Sequence, residues 1–185
     1  VDYLLAEAIE DAIVKRPILP DDKSTKDFRE TPTDNAAMRY KPWIDLGVSR
    51  WQKYSELLSK TGKKPVLFVM ADDTTSAKQI QDYLEDHYKD LKGKILELHI
   101  KVNRSGDISE TKSNLEYLKQ LRDAARKIDS NDNPYRAIVS VLMLREGWDV
   151  KNVTVIVGLR PYTAKANILP EQTIGRGLRR MDARN

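Results

Sequence analysis

Four short runs of apolar residues recur along the chain, each too short for a helix of ordinary length. They span residues 66–70, 95–100, 137–142 and 153–157, and the first contains no polar residue at all. Unbroken apolar runs of this length are typical of strands that are buried on both faces of a parallel sheet. Because helical patterns separate the runs, the sequence predicts an α/β fold with helices flanking a parallel sheet.

Helical spacing precedes the first run. Residues 3–13 carry apolar side chains at helical intervals, and residues 20–35 are polar and contain two prolines, which predicts a loop or linker. A second helical pattern covers residues 35–61 and is bent or restarted at Pro42. Its predicted apolar face comprises Trp51, Tyr54, Leu57 and Leu58. Gly62 stands where a helix C-cap is expected.

Further helices are predicted between the later runs. The spacing of Ser76 and Gln79 resembles a capping box, which predicts a helix that begins near Ser76. Asp72 and Asp73 end the first apolar run and are expected to open that helix, where negative charge is favourable. Residues 113–128 predict another helix, residues 129–134 a turn, and residues 170–180 a short closing helix.

Composition narrows the function classes. The chain has 185 residues, 32% charged residues, a net charge of +4 and no cysteine, so disulfides and thiolate metal sites are excluded. His87 and His99 have no ligand pattern around them, and we expect no metal site. No apolar run reaches the ~18 residues of a membrane span, and no signal peptide is visible, so a cytoplasmic protein is expected. Both ends look cut, which suggests an excised domain.

Most of the candidate functional residues lie near the end of the chain, in the segment EQTIGRGLRR of residues 171–180. Arg176 and Arg179 are three residues apart and would face the same way on a helical turn. Guanidinium groups stay charged and present forked donors that match phosphate, so the pair suits a site where phosphoryl charge develops. A solvated basic surface is the alternative interpretation.

Three ordered segments together resemble the second RecA-like domain of superfamily 2 helicases and translocases. QTIGRGLR (172–179) resembles motif VI, LREGWDV (144–150) resembles motif V, and PVLFVMADD (65–73) lies where motif IV belongs. The resemblance implies a RecA-like three-layer domain over residues 63–185. Residues 1–62 would be a helical and linker extension that joins it to a first RecA-like domain.

A narrower resemblance covers nearly the whole chain. AEAIEDAIVKRPIL (6–19), LREGWDVKNV (144–153) and GLRPYTAKANILPEQTIGRGLRR (158–180) are similar to the Res (restriction) subunit of type III restriction enzymes and to DEAD/DEAH-type proteins. The resemblance implies an ATP-driven DNA helicase or translocase. It also implies duplex DNA and a DNA-methyltransferase (modification) subunit as partners, and ATP and Mg²⁺ held mainly by the first RecA-like domain.

The family implies roles for individual positions. Arg176 and Arg179 would be arginine fingers that reach the γ-phosphate across an interdomain cleft. Gly147 would allow close backbone approach at the cleft, and Asp149 would bind near the ribose or hold the fingers. Gln172, beside Gly175 of the same motif, would couple the ATP site to the partner domain.

Nucleic-acid contacts are predicted on the same basis. Arg145 and the strand end at Ser140 are expected to face the nucleic acid. Many family members have a threonine in motif V that touches a phosphate, but Val141 occupies that position here. The loop of residues 101–109, with Lys101 and Arg104, is the second candidate, and a simple surface loop is the alternative.

Missing motifs matter as well. Gly62-Lys63 and Gly93-Lys94 are the only Gly-Lys pairs, and neither lies in a phosphate-binding loop of the form GxxxxGK[ST]. The chain alone is therefore expected not to hydrolyse ATP. The apolar run that ends in Asp72 and Asp73 resembles a Walker B strand, which holds Mg²⁺ in an ATP site. This interpretation is rejected, because no phosphate-binding loop precedes the run. Glu110-Thr111-Lys112 has the form of a nuclease motif, but no strand pattern surrounds it, and it is not interpreted as a nuclease site. The family resemblance implies that any nuclease would lie beyond residue 185.

Two alternatives remain open. An ATP-dependent RNA helicase would bind the nucleic-acid backbone with the same residues, and only the narrower resemblance favours duplex DNA. A non-catalytic RecA-like scaffold that binds nucleic acid is the rival from another class, although it would have no need for Gln172, Gly175, Arg176 and Arg179 together.

Overall fold

A four-stranded, all-parallel sheet forms the centre of the fold. The computed structural model describes residues 5–11, 14–99, 123, 126–130, 132–141 and 150–159. The sheet has the order β2-β3-β1-β4. Its strands are β1 (Val66–Ala71), β2 (Ile95–His99), β3 (Ala137–Val141) and β4 (Val153–Gly158). The predicted parallel sheet is therefore confirmed, and each strand lies within a residue or so of its predicted position.

β1 lies between two neighbouring strands, and this position explains why its sequence contains no polar residue. It pairs with β3, where Phe68 aligns with Ile138, and with β4, where Phe68 aligns with Ile156. All six residues of β1 are buried. A strand covered on both faces and paired at both edges has no side that could favour a polar side chain.

Three helices cover the first face of the sheet: α3 (Ala36–Arg39), α4 (Lys41–Leu58) and α5 (Thr74–His87). Pro42 lies in the first turn of α4, so the predicted restart at this proline is confirmed. A 3-10 turn (Ser59–Thr61) follows α4, and Gly62 ends it in the left-handed region with a φ of 70°. Glycine adopts that conformation without steric cost, as predicted for a C-cap.

The buried face of α4 lies earlier in the helix than predicted. Ile44, Gly47, Val48 and Trp51 are buried, at intervals of three and four residues. The indole N–H of Trp51 donates to the carbonyl oxygen of Pro65 at 2.9 Å, which holds the helix at the start of β1. Leu57 is 73% exposed, so its assignment to the buried face is wrong, because it lies six residues after Trp51 and faces away from the buried stripe on a helix of about 3.6 residues per turn.

The second face of the sheet carries its own apolar layer. The buried residues there come from all four strands and from the segments beside them: Val66, Phe68, Met70, Leu98, Ile128, Ile138, Val150 and Val153. Residues 126–128 are helical, in agreement with the predicted helix that ends at residue 128. Layers on both faces of a parallel sheet are consistent with a RecA-like three-layer α/β fold.

The start of α5 confirms that Asp73 opens the helix, as predicted, but contradicts the predicted start at Ser76. Asp73 is the N-cap, and its carboxylate accepts from the backbone N–H of Ser76 at 2.7 Å. The predicted capping box at Ser76 is therefore wrong, because a better acceptor stands three residues earlier. Gln79 instead accepts from the backbone N–H of Ala36 at 2.7 Å and so satisfies a donor at the start of α3.

The N-terminal part has less regular structure. It contains α1 (Leu5–Glu10) and the single-turn α2 (Asp22–Thr25). Phe28 contacts the ring of Trp43 edge to face, with ring centroids 5.4 Å apart. α3 and α4 share a core with the sheet, although they precede residue 63. The domain boundary between residues 62 and 63 stays a prediction.

Candidate functional site

The carboxyl ends of the four strands meet at one edge of the sheet. β1 ends at Ala71, β2 at His99, β3 at Val141 and β4 at Gly158. The segments that carry the predicted chemistry follow three of these ends in the sequence: 101–109 after β2, 142–149 after β3 and 160–180 after β4. The segment that resembles motif IV ends with Asp72 and Asp73, directly after β1. Ligands of open α/β sheets bind at this edge.

The described residues at the carboxyl edge show how the edge is built. Asp72 follows β1, and its carboxylate accepts from the backbone N–H of Asp73 at 3.0 Å. The N-terminus of α5 begins at the next residue, Thr74, and is capped by Asp73. Leu159 donates its backbone N–H to the carbonyl oxygen of Met70 at 2.9 Å, which holds the chain leaving β4 beside the end of β1.

Ser140 is the one predicted site residue that the structure describes. It lies on β3, aligned with Met70 on one side and Leu98 on the other, and is 0% exposed. Within the described part of the chain, its hydroxyl oxygen has no hydrogen-bond partner. Ser140 is therefore part of the sheet interior close to the carboxyl edge, and its contact with nucleic acid stays a prediction. The other predicted site residues lie outside the described residues: Lys101, Arg104, Arg145, Gly147, Asp149, Gln172, Gly175, Arg176 and Arg179.

A polar network that the sequence analysis did not identify joins α4 to the end of α5. The carboxylate of Asp45 accepts from Lys41 at 2.5 Å, from the hydroxyl of Tyr83 at 2.6 Å and from the hydroxyl of Tyr88 at 2.5 Å. Lys41 also donates to the hydroxyl oxygen of Tyr83 at 2.9 Å. The spacing of Lys41 and Asp45, four residues apart on one helix, was the available sequence signal.

The network shifts the titration of its members. Burial would raise the pKa of Asp45, but the hydrogen bonds from Lys41, Tyr83 and Tyr88 outweigh burial and lower the pKa below its ordinary value. The hydrogen bond to Asp45 raises the pKa of Lys41. Burial and the hydrogen bond to Asp45 raise the pKa of Tyr88. The carboxylate is thus held charged and the phenol neutral, which suits a structural joint rather than a proton-transfer site.

A second unpredicted feature lies at the opposite, amino edge of the sheet. Lys15 donates to the carbonyl oxygens of Lys151 at 2.6 Å and Val153 at 2.7 Å. Asp129 accepts from the backbone N–H groups of Lys151 and Asn152, each at 2.9 Å. Burial lowers the pKa of Lys15 to about 8, and the charge of Asp129 opposes this only in part. Side chains from two distant parts of the sequence therefore fix the start of β4.

Among the residues that the structure describes, no group of three or more His, Cys, Asp and Glu side chains could hold a metal ion. None of the described helices combines the length and the apolar character needed to cross a bilayer.

Comparison with protein-family models, with curated proteins and with solved structures finds no match to this chain.

Proposed function

We propose that the chain is the second RecA-like motor domain of an ATP-dependent DNA helicase or translocase of the kind found in type III restriction enzymes. The observation that carries the proposal is the coincidence of sequence order and topology. The segment that resembles motif IV contains β1 and ends two residues after it, and the segments that resemble motifs V and VI follow β3 and β4 in the sequence. These three strands are neighbours in the sheet, and all end at the same edge.

Under this proposal the chain contributes positive charge to a site that it shares with another domain. Arg176 and Arg179 act as arginine fingers toward the γ-phosphate of ATP, where charge fixed in advance stabilises the transition state. Gly147 and Asp149 line the cleft, and Gln172 with Gly175 forms the rest of the motif that couples the two domains.

ATP and Mg²⁺ are held mainly by an upstream RecA-like domain of the same polypeptide. The chain has no phosphate-binding loop of its own, so the upstream domain must supply the one that binds ATP. Duplex DNA is the proposed nucleic acid along which the protein moves, and a DNA-methyltransferase (modification) subunit is a proposed partner. The described residues offer support for the architecture of the domain only, since the fingers lie outside them.

ATP hydrolysis measured against a panel of nucleic acids tests the proposal. The intact protein is assayed with no nucleic acid, with duplex DNA, with single-stranded DNA and with structured RNA, and the 185-residue chain is assayed in parallel. We expect stimulation by duplex DNA in the intact protein and no hydrolysis by the chain alone. Stimulation by RNA alone would favour the RNA helicase, and hydrolysis with none of these polymers would leave a non-catalytic RecA-like scaffold.

A further inference from the structure

The amino edge of the sheet carries a basic residue before every strand. Lys94 immediately precedes β2 and Arg136 immediately precedes β3, whereas Lys64 and Lys151 each stand two residues before β1 and β4. Because the strands are all parallel and ordered β2-β3-β1-β4, these residues follow one another along the edge as Lys94, Arg136, Lys64 and Lys151. We call these four residues the amino-edge row.

Backbone hydrogen bonds fix the order of the row. Arg136 donates its N–H to the carbonyl oxygen of Lys94 at 2.8 Å, and the carbonyl oxygen of Arg136 accepts from Leu67 at 3.0 Å. Val66 donates its N–H to the carbonyl oxygen of Asn152 at 2.9 Å. Neighbouring strands lie about 4.8 Å apart, so the row extends over about 15 Å. That length corresponds to several successive phosphates of one nucleic-acid strand.

The four side chains of the row differ in their exposure. Lys64 is half-buried, and its ammonium donates to the carbonyl oxygen of Asn133 at 3.5 Å. Lys94 and Lys151 are exposed, and Lys63 and Lys92 are exposed beside them. Arg136 is half-buried, and one nitrogen of its guanidinium donates to the carbonyl oxygens of Asn133 at 3.2 Å and Tyr135 at 3.1 Å, which orients the group.

Nearby acidic groups do not cancel this charge. Asp129 accepts from the backbone N–H groups at the start of β4, and its negative charge is opposed by the nearby Lys15. Asp90 is exposed in the segment before β2 and contributes a single negative charge. Asp132 is exposed in the segment before β3 and contributes a single negative charge. Positive charge therefore dominates the amino edge, in a protein whose net charge is +4.

We infer that the amino-edge row binds the phosphate backbone of nucleic acid, at the edge opposite the proposed ATP site. Folded protein partners are held mainly by apolar and aromatic anchors. In the described part of the chain, the large exposed apolar side chains are Ile18, Leu19, Met38 and Leu57, and none of them belongs to the amino-edge row or adjoins one of its residues in the sequence. A charged, apolar-poor strip suits phosphates better than an acidic protein surface. The inference is independent of ATP hydrolysis.

Binding of a fluorescein-labelled 20-nucleotide single-stranded DNA to the full chain tests the inference. Fluorescence anisotropy is followed between 50 and 200 mM salt for the unaltered chain and for the double variant Lys94→Glu, Lys151→Glu. We expect the double variant to bind at least tenfold more weakly at the lower salt. The slope of log K against log salt should fall in magnitude by about 1.4, since each phosphate contact with a single strand contributes about 0.7.

The matched control is Lys23→Glu, Lys26→Glu, which makes the same change in net charge at two exposed lysines of the 20–35 segment. It should weaken binding less than threefold and leave the slope unchanged. Equal losses in both double variants would mean that only net charge matters and would overturn the inference, as would unchanged binding in the amino-edge variant. Competition by poly-glutamate as effective as that of unlabelled DNA would also overturn it in favour of an acidic protein partner. Circular dichroism checks that both variants keep their fold.

Discussion

Gly47 of α4 packs directly against Val157 of β4. A Cβ atom placed on Gly47 would lie 2.3 Å from Cγ2 of Val157, far inside van der Waals contact. Val157 is a buried residue of β4, and its backbone is held by the pairing with Val69 of β1. The glycine is therefore what allows α4 to approach the sheet this closely.

Gly47→Ala should destabilise the protein although alanine is the better helix former. Alanine in place of glycine within a helix is worth up to about 1 kcal/mol, but overpacking a tight core contact costs about 1–3 kcal/mol. We expect a net loss of about 1–2 kcal/mol in the free energy of unfolding, measured by urea denaturation. The exposed Ser49→Ala in the same helix is the control and should not be destabilising. If Gly47→Ala were as stable as the unaltered chain, the close approach of α4 would be contradicted.

Asp45 gives a prediction for acid pH. Because its pKa is depressed in the folded state, its contribution is present above the ordinary carboxyl pKa and is lost as the pH falls through the folded value. Asp45→Asn should cost about 1–2 kcal/mol at pH 7, since it weakens hydrogen bonds to a charged acceptor. The gap between the variant and the unaltered chain should narrow below about pH 4. Chemical unfolding at pH 7 and pH 3 measures this, and a gap that is independent of pH would count against the network.

Lys15 gives a prediction of the opposite kind. Its folded pKa of about 8 lies below the ordinary value of 10.5, so below pH 8 the folded protein bears the full cost of burying the charge. As the pH rises from 8 towards 10.5, the folded state loses the proton first and that cost disappears. The stability of the unaltered chain relative to Lys15→Met should therefore rise by about 1–3 kcal/mol between pH 7 and pH 10. The exposed Lys23→Met should show no such trend, and a flat difference for Lys15→Met would refute the lowered pKa.

The N-cap of α5 can be tested by a pair of substitutions. Asp73→Ala removes the acceptor for the backbone N–H of Ser76 and should cost about 1 kcal/mol, whereas Asp73→Asn keeps an acceptor oxygen and should cost much less. Thermal unfolding of both variants gives the comparison. Equal losses would indicate that the charge of Asp73, rather than the cap hydrogen bond, matters at this position.

The strands could be predicted because a fully buried strand consists almost entirely of apolar residues. β1 contains only apolar residues since both of its faces and both of its edges are covered. Details that depend on a distant partner could not be predicted. Gln79 was assigned to a capping box within α5, but it accepts from the first backbone N–H of α3, a contact that local spacing does not record. Leu57 could have been excluded from the buried face, because its spacing from Trp51 places it on another side of the helix.

The candidate site was predictable only in its outline. That the chemistry follows the carboxyl ends of neighbouring strands could be inferred from the alternation of strands and helices. The lysine at position 15 and the carboxylate at position 129 meet at the start of β4 although more than a hundred residues separate them. Such a contact depends on the tertiary fold, and the local sequence pattern does not predict it.

The most direct test of the proposed motor function is DNA-stimulated ATP hydrolysis by the intact protein with Arg179→Ala. Arg180→Ala is the matched control, because it removes the same charge one residue away from the proposed finger. We predict that Arg179→Ala lowers turnover at least a hundredfold while ATP still binds, and that Arg180→Ala lowers it less than fivefold. Equal turnover in Arg179→Ala and the unaltered protein, or equal losses in both variants, would contradict the assignment of Arg179 as an arginine finger.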